Sequence, residues 1–102
     1  MKADQKLFVV LEDTLSEVYK MYNSMPESLQ EENDKTMDNI EINLAHAIVK
    51  MLLENDECFI QNISVHEAIL SHWENIGMQD FFSNNDKNMY KVYISNCLER
   101  VM

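Results

Sequence analysis

A chain of 102 residues has material for one domain with a single core. Its 46% hydrophobic and 25% charged content is that of a globular protein, so neither a disordered tail nor a membrane protein is the expected class. Eighteen acids against eight bases leave a net charge of −10, a field that repels phosphate backbones and anionic head groups and argues against direct nucleic-acid or membrane binding.

The first predicted element runs over residues 4–22. Leu7, Phe8, Leu11, Leu15, Val18, Tyr19 and Tyr22 recur at spacings of three and four, with Glu12, Asp13, Ser16, Glu17 and Lys20 between them, the pattern of an amphipathic helix. Its opening run from Leu7 to Leu11 is too short for a signal peptide or a membrane span. Pro26 biases Met25 away from helical angles and ends the helix, and Ser24 with Glu27 reads as a capping box for a short turn. Residues 23–36 hold a single large apolar side chain after Met25, Leu29, and read as an acidic linker.

A second helix is predicted over residues 37–54. Ile40, Ile42, Leu44, Ala45, Ile48, Val49, Met51, Leu52 and Leu53 cover most of its circumference, and Asn39, Asn43, His46, Lys50 and Glu54 form a narrow polar stripe. Such a helix belongs at the centre of a fold or in a dimer interface. After a break at Asn55-Asp56, a third helix is predicted over 65–76, with Ser64 as N-cap, Glu67 completing a capping box and Ile63 packing on Ala68 as a staple. Gly77, the only glycine, stands where a left-handed C-cap is wanted. Met78, Phe81 and Phe82 form an aromatic connection to a fourth helix over 86–101, capped from Ser83 to Asp86 and striped by Tyr90, Tyr93, Ile94, Cys97, Leu98 and Val101.

Motifs that carry chemistry are few. His66-Glu67 begins like a zinc-protease helix, but position 70 is Leu70 where the second histidine is needed. His46, His66, His72, Cys58 and Cys97 show no ligand pair at metal-binding spacing, and no Gly-rich phosphate loop or nucleophile elbow occurs. The carboxylates carry no mark of a shifted, pocketed acid and look dispersed, with eight in residues 1–36 and ten in 37–102. His46 reads as a solvated or interface residue and His72 as one at a core margin. Cys58 and Cys97 sit among apolar neighbours and read as buried free thiols, hence a cytoplasmic protein. Of the methionines, Met37, Met51 and Met89 read as core, and Met21, Met25 and Met78 as exposed.

Leu44 to Leu53, a polar break holding Asn55 and Asn62, then Ala68-Ile69-Leu70 with Glu74, and finally Tyr90, Ile94, Leu98-Glu99 and Val101 follow a familiar order. Over about residues 38–101 the chain resembles the small enterobacterial biofilm and acid-resistance regulators of the AriR type, which include connector proteins for two-component phosphorelays. The resemblance implies a helical homodimer in the bacterial cytoplasm that contacts a signalling or regulatory protein, and it implies no individual functional residue.

The expectation is therefore an all-α single domain over 1–102, a bundle of about four helices and a homodimer, working as a non-enzymatic adaptor for an unidentified regulatory protein. No cofactor, metal, small-molecule substrate, nucleic acid or membrane is expected as a ligand. The second helix contributes Ile40, Leu44, Ile48 and Met51 to the expected dimer or partner surface, and the last helix contributes Tyr90, Tyr93, Ile94, Cys97, Leu98 and Val101. Two rival readings are an acidic mimic of nucleic acid that blocks a DNA- or RNA-binding protein, which needs carboxylates in a regular row, and a secretion chaperone.

Overall fold

The computed structural model describes residues 3–54 and 60–101, and of 3–4 and 98–101 the backbone alone. Four α-helices follow one another: α1 (Ala3–Ser24), α2 (Glu27–Glu54), α3 (Ile63–Ser71) and α4 (Asn84–Val101), with a 3-10 turn at Met78–Asp80 between the last two. No strand occurs among the described residues, so the all-α expectation holds. No helix among them is long and apolar enough to cross a membrane.

α1 and α2 form an antiparallel hairpin, with Tyr22 bonded to Asp34 and Tyr19 to Glu41. The hinge is where Pro26 places it. Here the expected linker is corrected, because residues 27–36 are helical and α2 starts ten residues early. Pro26 lacks an N–H but its carbonyl accepts the first bonds of α2, from Leu29 N–H at 2.9 Å and Gln30 N–H at 3.0 Å. Glu, Gln and Lys are strong helix formers, and a helix already nucleated extends through them without an apolar stripe. Ser24 does not cap α2: its hydroxyl donates back to the Met21 carbonyl at 2.9 Å. The Gln30 side-chain amide donates to the Tyr22 carbonyl at 2.9 Å and so closes the end of α1.

α3 departs from expectation at both ends. Asn62 is its N-cap and Ser64 lies inside the helix, so the predicted Ser64–Glu67 box is not formed. The Asn62 side chain is engaged elsewhere, donating to Ser16 Oγ at 3.3 Å and tying this corner to α1. After Ser71 the chain turns irregularly to Gly77, whose φ of 71° is the left-handed conformation expected there. A reciprocal box does form at α4: Asp86 N–H donates to Ser83 Oγ at 3.1 Å and Ser83 N–H to Asp86 Oδ2 at 3.0 Å.

One apolar core joins all four helices. Phe8 and Leu15 come from α1, Ala45, Ile48, Val49 and Leu52 from α2, Val65 and Ile69 from α3, and Tyr90, Ile94 and Cys97 from α4. Trp73, Ile76 and Met78 fill the α3–α4 corner. Four residues expected on a partner surface, Ile48, Tyr90, Ile94 and Cys97, are thus buried within the single chain and present nothing to a second one. Met78 is buried and Met89 exposed, the reverse of the reading from sequence, because Met78 follows the left-handed turn into the core and Met89 lies on the outer face of α4. Cys97 is corrected too: it is disulfide-bonded, not a free thiol. Cys58, the only other cysteine, lies outside the described residues.

Candidate functional site

The most polar part of the interior sits between α1, α3 and α4. Phe8, Glu12 and Leu15 fall on one face of α1, at spacings of four and three, so Glu12 points inward with its apolar neighbours and is fully buried. Its Oε2 lies 2.7 Å from His66 Nε2 on α3, and His66 Nδ1 lies 2.8 Å from the Tyr90 hydroxyl on α4. A carboxylate only accepts, so Nε2 carries the hydrogen on the Glu12 side, while the Tyr90 hydroxyl pairs with Nδ1 and lies 3.5 Å from the His66 carbonyl, to which it can donate. Burial, and then the charge of Glu12, push the Tyr90 hydroxyl well above the usual tyrosine range, which keeps that proton in place. The Gln61 N–H donates to the same Oε2 at 3.2 Å, while Glu12 Oε1 has no partner among the described residues. Phe8 stacks on the imidazole and Trp73 on the phenol, sealing the network from solvent.

A second network of the same three residue types lies at the α1–α2 surface. Glu41 on α2 is its centre: Oε2 accepts from the Tyr19 hydroxyl and, at 2.8 Å, from His72 Nδ1. The His72 side chain is 42% exposed against 7% for Glu41, so the ring is gripped from one side with its Nε2 edge left over. Burial, then the bond to Glu41 and its charge, push the Tyr19 hydroxyl far up. Next to it Tyr22 donates to Asp34, which likewise raises its own hydroxyl.

These groups line a cleft of about 370 Å³, walled by Val18, Met37 and Ile76 and rimmed by Asp34, Asp38, Glu41, Tyr19, Tyr22, His72 and Asn75. Among the described residues no lysine or arginine lines it. Asp38 is held above the usual carboxylate range, first by partial burial and then by the negative charges of Glu41 and Asp34, with His72 opposing. The cleft combines anionic rim groups, aromatic rings and apolar walls, the chemistry that accepts a cation on an apolar stem. A carboxylate-oriented imidazole also has the form of a general base. Among the described residues no serine, threonine or cysteine nucleophile and no lysine or arginine lines the cleft beside it.

Because α2 is continuous from Glu27, its acids fall into register. Glu27, Glu31, Asp34, Asp38 and Glu41 recur at spacings of four and three along one face, and all but Glu41 are exposed. The view of dispersed carboxylates is corrected by this row, which runs for about 21 Å along the helix at 1.5 Å per residue and ends in the cleft. A helical reading of residues 27–36 was the missing signal.

Of the remaining residues expected at a partner surface, Ile40 is exposed, and Leu44, Met51 and Tyr93 are half-buried. The side chains of Leu98 and Val101 lie outside the described residues. The eight whose side chains are described are not brought together as one surface. His46 packs against Phe81 and Phe82, with ring centroids 4.9 and 5.2 Å apart, and His72 stands at the core margin. Glu12, placed on the polar side of α1 from sequence, is the residue that reasoning missed: a single acid at an apolar register position was its only trace. Among the described residues no group of three His, Cys, Asp or Glu could hold a metal ion. No family model, no curated protein and no solved structure matches the chain.

Proposed function

We propose that the chain is a non-enzymatic adaptor that acts as a homodimer and binds a basic segment of a regulatory protein along α2; the homodimer and the regulatory partner are what its resemblance to the AriR-type regulators implies. The observation that carries this reading is the carboxylate row that leads into the Tyr19–Glu41–His72 cleft. Like charges three and four residues apart cost a helix about 0.2–0.5 kcal/mol per pair, and Lys35 is the only base on α2 before Lys50. A basic partner relieves that repulsion, steers onto the row at long range and places a lysine or arginine stem between the tyrosines.

Titration with oligolysine and oligoarginine peptides tests the reading. Asp34→Asn with Asp38→Asn is expected to weaken binding about tenfold, or about 1.4 kcal/mol, and affinity should drop steeply with salt. Equal affinity for the wild type and the double variant would sink it.

The regular row also favours a second reading, an acidic mimic of nucleic acid that occupies the binding surface of a DNA- or RNA-binding protein. Duplex DNA separates the two: release of the native partner by DNA supports the mimic, and a complex indifferent to DNA supports the adaptor. The disulfide at Cys97 weighs toward an oxidising compartment and against the cytoplasm. Because Cys97 is buried, alkylation after acid quench and unfolding of cell extracts decides that point, since labelling of Cys97 without prior reduction would return the chain to a reducing compartment.

A further inference from the structure

The cleft between α1, α2 and the turn after α3 has a volume of about 370 Å³, within the roughly 300–1,000 Å³ of small-molecule sites. One lysine stem does not fill it. Its hydrogen-bonding inventory is one-sided. The Tyr22 and Tyr19 hydroxyls spend their hydrogens on Asp34 and Glu41, and Glu41 also takes the Nδ1–H of His72 at 2.8 Å. Among the lining side chains only the exposed Asn75 amide still offers a donor. What remains accepts: the Asp34 and Asp38 carboxylates, the phenol lone pairs and Nε2 of the neutral imidazole. Glu41 adds a buried acceptor. Its side chain is 7% exposed and its Oε2 holds both Tyr19 and His72, yet its Oε1 has no hydrogen bond among the described residues. Unlike Glu12 Oε1, this atom is not sealed in the interior, so it is open to what occupies the cleft.

A lining of acceptors selects a ligand that only donates, and the net charge of −10 draws in cations. The carboxyl of Asp38 is held up first by burial and then by the charges of Glu41 and Asp34, so these acids share one space that no base neutralises. Spacing then separates one cationic class from another. Asp34, Asp38 and Glu41 climb α2 in steps of about 6 Å and about 4.5 Å at 1.5 Å per residue, the reach of a four-carbon and a three-carbon bridge between amines. Val18, Met37 and Ile76 supply carbon for such bridges to lie on. A guanidinium gathers its donors into one planar fork and does not match acceptors strung along a helix. A metal ion has no stem to bury, and among the described residues no three acids or histidines converge on one.

We infer that the cleft binds a free linear aliphatic polyamine, with ammonium groups at Asp34, at Asp38 and between Glu41 Oε1 and His72 Nε2, and with its methylene bridges on the apolar wall. The inference rests on the reading of the α2 row and its cleft as a cation site, and it names a small-molecule ligand for that site. A polyamine seated there takes the place of the lysine stem of a basic segment. Free amine and protein partner therefore compete, and the amine concentration sets how much of the chain is open to its partner.

Calorimetric titration of the intact chain at physiological salt provides the test, with spermidine as the probe and hexaamminecobalt(III) as a cation of equal charge that has amine donors and no carbon bridges. Spermidine should saturate a single site at least about tenfold more tightly than the cobalt complex (about 1.4 kcal/mol) and should displace oligolysine. Asp38→Asn should weaken spermidine about tenfold, whereas Asp13→Asn, which removes an exposed acid of α1 outside the cleft, should not. Proton NMR of the wild type, which needs no variant, should show spermidine shifting the ring signals of Tyr19 and Tyr22 and leaving buried Tyr90 in place. Spermidine no tighter than the cobalt complex, or weakened equally by Asp13→Asn, is counterion attraction and overturns the site. Oligolysine bound by a chain that spermidine neither saturates nor competes on overturns the polyamine and leaves the basic segment standing. Saturation by spermidine without any binding of oligolysine does the reverse.

Discussion

The two glutamate–histidine–tyrosine networks use the same side chains in different orders. In the inner one the imidazole of His66 is central, and both of its nitrogens are taken, by Glu12 and by Tyr90. In the outer one the carboxylate of Glu41 is central, so Tyr19 and His72 converge on one oxygen and His72 keeps an edge toward solvent. The difference separates a staple from a binding surface. A histidine with both nitrogens engaged and no exposure joins three helices and offers nothing to a ligand. One held by a single nitrogen at a cleft is oriented and still able to respond to what enters.

The largest expected effect breaks the inner network. His66→Ala strands the Glu12 carboxylate with only the Gln61 N–H, and leaving a buried charged acceptor without its donor costs more than the roughly 1–3 kcal/mol of a neutral group. Chemical denaturation should therefore show a severe loss for His66→Ala, while His72→Ala should lose no more than about 1 kcal/mol. Comparable losses at the two positions would erase the distinction.

Next in size is the phenol on the inner side. Tyr90→Phe leaves Nδ1 of a buried imidazole without its hydrogen-bond partner and should cost about 1–3 kcal/mol, read as a lower urea midpoint at unchanged slope. Tyr19→Phe should cost less, because Glu41 keeps His72.

A third expectation is alkaline weakening. Both Tyr19 and Tyr90 have hydroxyls raised above the ordinary value of 10.0 in the folded chain. Below that value the folded and unfolded chains both hold these protons, and stability does not depend on them. Above it the unfolded chain releases protons that the folded chain keeps, so stability falls by at most about 1.4 kcal/mol per pH unit for each group. Urea midpoints measured across this range should decline, and Tyr90→Phe should make the decline shallower.

The smallest effect sharpens the view of the outer site. Asp38 is raised above the usual carboxylate range, so the folded chain takes up its proton first as pH falls. Its contribution therefore favours folding below the ordinary carboxylate value and opposes it above the folded one, and neutral pH lies on the opposing side. Asp38→Asn should raise stability by about 0.3 kcal/mol in low salt, a value already reduced for solvent screening. At molar salt the gain should vanish, as thermal melts at the two ionic strengths would show.

How far each feature was legible depended on the range of the interaction behind it. The ends of α1 and α4 came out within two residues of expectation because their apolar spacing and the Ser83–Asp86 cap are local. Residues 27–36 were misjudged because apolar periodicity was the criterion and that stretch has none. Its helix rests on propensity and on the Gln30 and Tyr22 bonds across the hairpin. The Ser64 box was a sound local pattern that failed when Asn62 took the cap position. For the candidate site, Tyr19 and Tyr22 were placed on the correct helix face and His72 at the core margin, whereas the role of Glu41 went unseen.

By itself the sequence determined the helical class, the hinge at Pro26, the left-handed turn at Gly77 and the acidic field, since each depends on neighbours within a turn or on composition alone. Only the tertiary structure decided that Glu12 meets His66 across 54 positions, that Glu41 meets His72 across 31, and that Ile48, Tyr90 and Ile94 spend their apolar surface inside one chain. Those pairings follow from how the α1–α2 hairpin packs on α3 and α4. Helical periodicity names the face a residue occupies, and packing alone names what that face meets.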